Sequence, residues 1–345
     1  MLRNAIAARS GLFTLHRIQS GTQTHSFARD VKIGLSSDPK YLQPKYFYDD
    51  LGSRLFAAIS CLPEYYLTRA ESEILQRRSR DIIRQAIGTQ RQPVRLIELG
   101  SGSAEKSRYL IEAILECQAQ LEYLPIDISD SSLERSSDDL LHAYPGLSIT
   151  AFAGEYFAVL AALNGAGLEH RREYRNVVLF LGSNIGNFDG EESVRFLKEI
   201  RGVLNAGDFL FLGADLRKGS DVLIPAYDDA LGVTAAFNRN LLVRINRELD
   251  GDFDISTFDH MAMWSEAQSR VEMHLVSRHP QQVRIGAIDL TVNFDWRESI
   301  HTESSHKFDL DSISVLARDS GFSLVETWYD SAHRFSFNML VASGQ

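Results

Sequence analysis

The sequence predicts an α/β fold, a doubly wound and largely parallel sheet, on three observations. Between residues 94 and 215, apolar runs of strand length alternate with amphipathic helical stretches, an order that lays helices on both faces of a sheet. Asn176 to Leu181 is almost unbroken in apolar residues, as in a central strand buried on both faces. Val94 to Leu99 leads directly into Gly100-Ser101-Gly102-Ser103 and a helical stretch from Ala104 to Glu116. Strand, glycine turn and helix is how such a sheet presents a ligand site at the carboxyl ends of its strands.

The elements follow in order. Residues 1–29 contain Arg3, Arg9, Arg17 and Arg29 and no acid before Asp30. That is the composition of a transit peptide, but Gly11, His16 and Gly21 interrupt any amphipathic face. A poorly ordered basic tail is the expectation. Residues 40–69 are dense in aromatics, including Tyr41, Tyr46, Phe47, Tyr48, Phe56, Tyr65 and Tyr66, and core packing and pocket lining are both open readings. Thr68-Arg69-Ala70-Glu71 has the form of a capping box and opens a helix to about Ile87, with Ile74, Leu75, Ile82 and Ile83 inward. After the strand 94–99 come a strand at 121–128, a helix at 130–143, a strand near 148–153 and a helix from about 157. The strand 176–181, the turn 182–187, a helix at 190–204 and a strand at 208–213 complete this rhythm.

Beyond Asp215 the pattern changes. A helical stretch, Thr234 to Leu249, precedes strand-like alternation in Val271 to Val276 and Val283 to Phe294. Residues 309–320 read as a helix, and 322–328 and 334–342 as strands closing the main sheet as a hairpin. The expected organisation is a tail (1–29), a main domain (70–215 with 308–345) and a second lobe (30–69 with 216–307) packed over the ligand.

Composition removes several classes of function. A formal charge of −10 argues against nucleic acid, whose phosphates need basic patches. No apolar run approaches the ~18 residues of a membrane span. Cys61 and Cys117 are the only cysteines, too few for a disulfide framework or a thiolate metal site, and a reducing cytoplasm is expected. Glu303 lies between His301 and His306, but the spacing is not H-E-x-x-H, and no metal is expected.

The glycine turn points to a ligand. A dinucleotide fingerprint would place a third glycine where this chain has Glu105, and an acid there would oppose a pyrophosphate at a helix N-terminus. Glu98, Gly100 and Gly102 instead form E-x-G-x-G, which resembles the first motif of S-adenosylmethionine-dependent methyltransferases. That ligand carries a sulfonium and no phosphate. Asp127, ending the next apolar run, is placed to bond two ribose hydroxyls.

Further stretches resemble one family. They are Pro44–Asp49, Leu62–Glu71, Leu181–Asn187, Ala226–Asp229, Gly232–Asn240 and Thr302–Phe308. Together with the glycine turn, they are similar to the histidine Nα-methyltransferases of ergothioneine biosynthesis, in order from about residue 30 to the C-terminus. The resemblance implies a Rossmann-like class I methyltransferase sheet with a substrate-binding lobe built from the insert and the N-terminal region. It implies trimethylation of the α-amine of L-histidine to hercynine, with S-adenosyl-L-methionine as cofactor and a small-molecule amino-acid substrate; separately, a monomer is expected. Cofactor positions carried over are Gly100, Lys106, Asp127 and the pair Glu155-Tyr156, where the family pattern has Asp-Phe. Substrate positions are Tyr65, Gly182, Asn187, Tyr227, Met273, Glu303 and Ser305. Asn184 stands where threonine is expected.

The residues themselves suit that chemistry. Methyl transfer is an in-line displacement, so the protein mainly positions the amine and excludes water. Asn187 and Tyr227 can donate to a carboxylate, and the hydroxyl of Tyr48 or Tyr65 can accept from the attacking amine. Glu303 and Ser305 share a face if their segment is a strand, and could bond the two imidazole nitrogens. Three other functions compete: an N-methyltransferase for another amino acid such as a tryptophan derivative, a non-catalytic S-adenosylmethionine-binding protein, and a nicotinamide oxidoreductase. An indole would leave part of the Glu303–Ser305 wall unpaired. A non-catalytic module would lack the amino-acid pocket, and the missing glycine disfavours nicotinamide.

Overall fold

A computed structural model describes residues 12–18, 23–88, 92–166 and 173–344. The first elements among the described residues are strand β1 (Phe13–Arg17), helix α1 (Gln23–Ser36), the short β2 (Lys40–Tyr41), α2 (Asp50–Ser60) and the long α3 (Leu67–Ile87). Alternation then runs β3 (Val94–Leu99), α4 (Ser107–Leu115), β4 (Leu121–Asp127), α5 (Asp130–Ala143), β5 (Leu147–Ala153) and α6 (Tyr156–Ala166). It continues with β6 (Arg175–Phe180), α7 (Gly190–Gly202) and β7 (Phe209–Asp215). The insert contributes α8 (Ser220–Leu223), α9 (Val233–Leu249), β8 (Phe258–Ser265), β9 (Arg270–Ser277), β10 (Gln281–Ile285), β11 (Leu290–Phe294) and β12 (Ser299–His306). Helix α10 (Leu310–Asp319) and strands β13 (Phe322–Tyr329) and β14 (Phe335–Ala342) end the chain.

These elements form two compact units, one of residues 1–20, 67–216 and 308–345, the other of 21–66 and 217–307. The first is built on an eight-stranded sheet in the order β1-β5-β4-β3-β6-β7-β14-β13. Strands β1 and β3 to β7 run parallel, and the β13–β14 hairpin adds antiparallel to β7. Every residue of β3 and β7 is buried, which is why both read as apolar runs. Ile97, Leu99, Ile126, Val178, Phe180 and Leu212 meet Leu160 of α6 and Phe196, Leu197 and Ile200 of α7 in one continuous core. From β3 the chain builds outward on one side through β4 and β5, then crosses back to lay β6 on the other. The strand order therefore reverses beside β3, and a doubly wound sheet opens its ligand crevice there.

The second unit holds a four-stranded sheet, β2-β12-β9-β8, and the separate hairpin β10–β11. Phe47 stacks on Phe237 of α9 at 4.5 Å between ring centroids, and Phe253, Phe258 and Phe294 form a second aromatic cluster. The Asp49 side chain caps α2 through Gly52 N–H and also accepts from Asn240 of α9 at 2.8 Å. One carboxylate thereby fixes where α2 begins and how it meets α9.

Three expectations need correcting. The tail is not frayed through residue 29: Phe13–Arg17 is an edge strand pairing in parallel with β5, and α1 begins at Gln23. Leu15 is buried, His16 stacks on Phe152, and Arg17 reaches Asp130, so this short strand is tied down by packing and charge. Residues 1–11 and 19–22 lie outside the described residues. Glu71 caps nothing: helix α3 already starts at Leu67, and the Glu71 side chain turns inward. Finally, Val283 to Phe294 is not one strand, because Gly286–Ile288 makes a 3-10 turn and Asp289 takes a left-handed φ between β10 and β11.

Candidate active site

In the first unit, two glycines mark the ends of the strands where the order reverses. Gly100 follows β3 and Gly182 closely follows β6, each with φ of +75°. Only glycine takes that conformation without strain. Gly100 needs the missing side chain twice over, since a Cβ there would stand 2.4 Å from the Tyr156 hydroxyl and 3.3 Å from the Asn184 amide nitrogen. Asn184, to which no role was assigned from the sequence, thus packs its amide against the first glycine turn.

Three carboxylates surround these turns. Asp127, ending β4, accepts 2.9 Å hydrogen bonds from Gly102 N–H and Ser129 N–H. Burial pushes its carboxyl up, against the pull of those bonds. The two backbone donors fix the carboxylate's orientation, and its remaining lone pairs can accept from vicinal ribose hydroxyls. Glu98 points back into the fold, where the Ser107 hydroxyl donates at 2.6 Å and the Tyr123 hydroxyl donates as well. Burial still drives the Glu98 carboxyl up to about 7. Glu71, fully buried, accepts from Gly182 N–H and from the Lys106 ammonium.

Tyr156 lies edge-on to Phe180 and packs on Phe196, which aims its hydroxyl at Gly100. Burial raises that hydroxyl above the usual tyrosine range. Glu155 is half-buried beside it. Asn187 closes the 3-10 turn Asn184–Asn187, half-buried, and its amide makes no hydrogen bond among the described residues. The unit therefore gathers Gly100, Lys106, Asp127, Tyr156, Gly182 and Asn187 at the carboxyl ends of neighbouring strands. Gly182 differs from expectation in one respect: its N–H is committed to Glu71, a residue whose role the sequence did not reveal.

In the second unit, β12 carries the relevant side chains. Glu303 pairs with Met273 across the β9–β12 ladder just after a register shift, and Glu303, Ser305 and Met273 are all buried. Ser304 points the other way, to the His301 ring. The alternation expected of Glu303 and Ser305 is therefore observed. Tyr227 and Ser305, expected to serve the carboxylate and the ring separately, hydrogen-bond each other at 2.8 Å. The Lys307 ammonium donates to both, at 2.7 Å and 2.9 Å. Lys307 escaped the sequence reading, although its period-two spacing after Glu303 and Ser305 was the available signal. His260 donates from Nε2 to the Tyr227 carbonyl at 2.8 Å, with Nδ1 facing the Asn238 amide, which orients the Tyr227 backbone. Tyr65 lies 6.4 Å from the Tyr227 ring, and Phe56 stands between Tyr65 and Tyr48.

Glu303 differs from Asp127, Glu98 and Glu71. It is 8% exposed and accepts no hydrogen bond among the described residues. Burial pushes its carboxyl up to about 7, opposed only by the charge of Lys307. A buried carboxylate without a donor is costly, and this group answers that cost by holding its proton more tightly than an exposed carboxyl does. No group of three or more metal-ligating side chains occurs among the described residues.

The sheet order, the glycine turn after β3 and the acid ending β4 define an S-adenosylmethionine-dependent methyltransferase. The match to a known family is closer than that class. Residues 27–342 fit the model of the histidine-specific, S-adenosylmethionine-dependent methyltransferases, and the chain belongs to that family. It is 40% identical over 325 residues to the histidine N-alpha-methyltransferase of Mycolicibacterium smegmatis, covering 94% of this chain and 97% of that protein. Identity to the enzyme of the same name from Mycobacterium tuberculosis is 41% over 311 residues, or 90% and 93% of the two chains. A 222-residue stretch, 64% of this chain, is 29% identical to ergothioneine biosynthesis protein 1 of Schizosaccharomyces pombe and covers 28% of it.

Proposed function

We propose that this methyltransferase converts the α-amine of L-histidine to its trimethylated form, hercynine, in ergothioneine biosynthesis. The observation that carries the ring specificity is Glu303, a buried carboxylate with no hydrogen-bond donor among the described residues. An imidazole N–H would supply that donor, and the Ser305 hydroxyl, which already accepts from Lys307 and bonds Tyr227, can still donate to the other ring nitrogen. An indole offers one donor and no acceptor, and would leave part of this wall unpaired.

S-adenosylmethionine, when bound, supplies a methyl group already activated by its sulfonium. The residues present fit it: Asp127 for the ribose hydroxyls, Lys106 for the carboxylate of its amino-acid tail, and Tyr156 beside the adenine. The rest of the task falls to orientation. The hydroxyl of Tyr65 or Tyr48 can accept a hydrogen bond from the neutral amine and so orient it. Asn187, whose amide makes no hydrogen bond among the described residues, can donate to a carboxylate. No side chain forms a covalent bond, and the proton lost from nitrogen leaves to water. Incubating the protein with methyl-labelled S-adenosylmethionine and each amino acid singly tests the reading. Label should enter histidine alone and reach three methyls. Equal labelling of tryptophan would defeat it.

A further inference from the structure

Glu71 is the one fully buried carboxylate at the glycine turns whose work is not yet accounted for. It sits in the first turns of α3, 0% exposed, and both its oxygens accept from Gly182 N–H, at 3.0 Å and 2.8 Å. The same carboxylate takes a hydrogen bond from the Lys106 ammonium, just before α4. Its seat is built for it: a Cβ on Gly213 of β7 would fall 2.0 Å from Glu71 Oε1, so that strand carries glycine where the carboxylate lies. Lys106, by contrast, is 24% exposed, and no other described residue pairs with it. An ammonium has three N–H donors, and one goes to Glu71. The others are available to a ligand. The Lys106 nitrogen also stands 3.4 Å from where a Gly182 Cβ would be, so the cation and the turn share one small volume.

We propose that Glu71 is a positioning residue for the cofactor: it locks the Lys106 ammonium to the Gly182 turn and so sets the affinity for the cofactor's amino-acid tail. This rests on the reading that Lys106 binds the carboxylate of that tail. Glu71 touches no ligand itself. It acts by removing the freedom of a long, flexible side chain whose ordering would otherwise be charged to binding. A flexible lysine would still attract a carboxylate, but less well.

The test compares S-adenosylhomocysteine with 5′-methylthioadenosine, which shares the nucleoside and lacks the amino-acid tail. Lys106→Met should weaken S-adenosylhomocysteine by about tenfold or more, the loss of one charge-assisted bond, and change methylthioadenosine less than about twofold. Glu71→Gln should reproduce that selective loss, and the double variant should be no weaker than Lys106→Met alone. Equal weakening of both ligands by Glu71→Gln would mark it as merely structural, and additive losses would show that it does not act through Lys106. Either result overturns the proposal. If Lys106→Met itself spares S-adenosylhomocysteine, the underlying reading of Lys106 fails, separately and visibly. Should Glu71→Gln not fold, hydrogen exchange at Gly182 N–H in the parent protein decides: S-adenosylhomocysteine should slow it more than methylthioadenosine, and equal slowing overturns the link.

Discussion

Glu98 in the first unit and Glu303 in the second are both buried, and burial pushes both carboxyls up to about 7. Their surroundings are opposite. Glu98 accepts from Ser107 and Tyr123, whereas Glu303 accepts from nothing described. Acidity alone would place the two in one class. The donor inventory separates a carboxylate held by two hydroxyls from one that has no donor among the described residues. The same division runs through both units: Asp127 and Glu71 are oriented by backbone N–H groups, while Glu303 is oriented only by its strand.

The comparison breaks first on pH. For Glu303, a rise from the ordinary 4.5 to about 7 corresponds to on the order of 3 kcal/mol between the protonation states. The sign follows from a folded value above the unfolded one. The neutral carboxyl's advantage is full below about 4.5 and is lost as pH rises through about 7. Denaturant unfolding of the ligand-free protein at pH 5 and pH 8.5 should show that loss, and Glu303→Gln should remove its share. Saturating histidine should shrink the Glu303 share, because a ring N–H stabilises the ionised carboxylate, and leave that of Glu98 intact. Equal effects on both would erase the distinction drawn here.

Asp127→Ala comes next. Two charge-assisted bonds at ~1.5 kcal/mol each amount to about a hundredfold loss of cofactor affinity. Calorimetry showing an unchanged Kd would mean the ribose is held elsewhere. Glu303→Ala should cost ~1.5–3 kcal/mol in transition-state binding of histidine, roughly 10- to 150-fold in kcat/KM, with cofactor Kd nearly constant. A loss within about threefold would falsify its assignment to the ring. The smallest effect is expected at Gly100→Ala, where the left-handed backbone costs ~1–2 kcal/mol and the new Cβ meets the Tyr156 hydroxyl. Adding Tyr156→Phe should relieve the contact and leave the backbone cost, so thermal stability should recover only in part.

Legibility followed burial and distance. Strands β3, β6 and β7 could be read because both faces are buried, which makes their sequences continuously apolar. Strands β8 and β12 could not be outlined in advance, since exposure varies along them and their composition is mixed. Helix α5 matched to the residue because Asp130-Ser131-Ser132 announces its start locally, and Ser129 proves to be the residue that caps it. At the site, Gly100 and Asp127 were proposed from local patterns, and Glu303 and Ser305 from a resemblance to a family; what the structure adds is their hydrogen-bond partners and their burial.

What the sequence determined by itself is therefore the set of properties carried by short-range order: the alternation of elements, the glycine turn and the acid ending β4. Each depends on residues a few positions apart, where propensity and periodicity act. What only the tertiary structure decided are the pairings made across the chain. Glu71 reads as a helix cap until its partners are seen to lie 35 and 111 residues away, at Lys106 and Gly182. Lys307 reads as a solvated charge until it meets Tyr227, 80 residues distant. Hydrogen bonds to buried charges are short-ranged in space and indifferent to sequence separation, so only the folded chain shows that Glu71, Glu98 and Asp127 have donors and that Glu303 has none among the described residues.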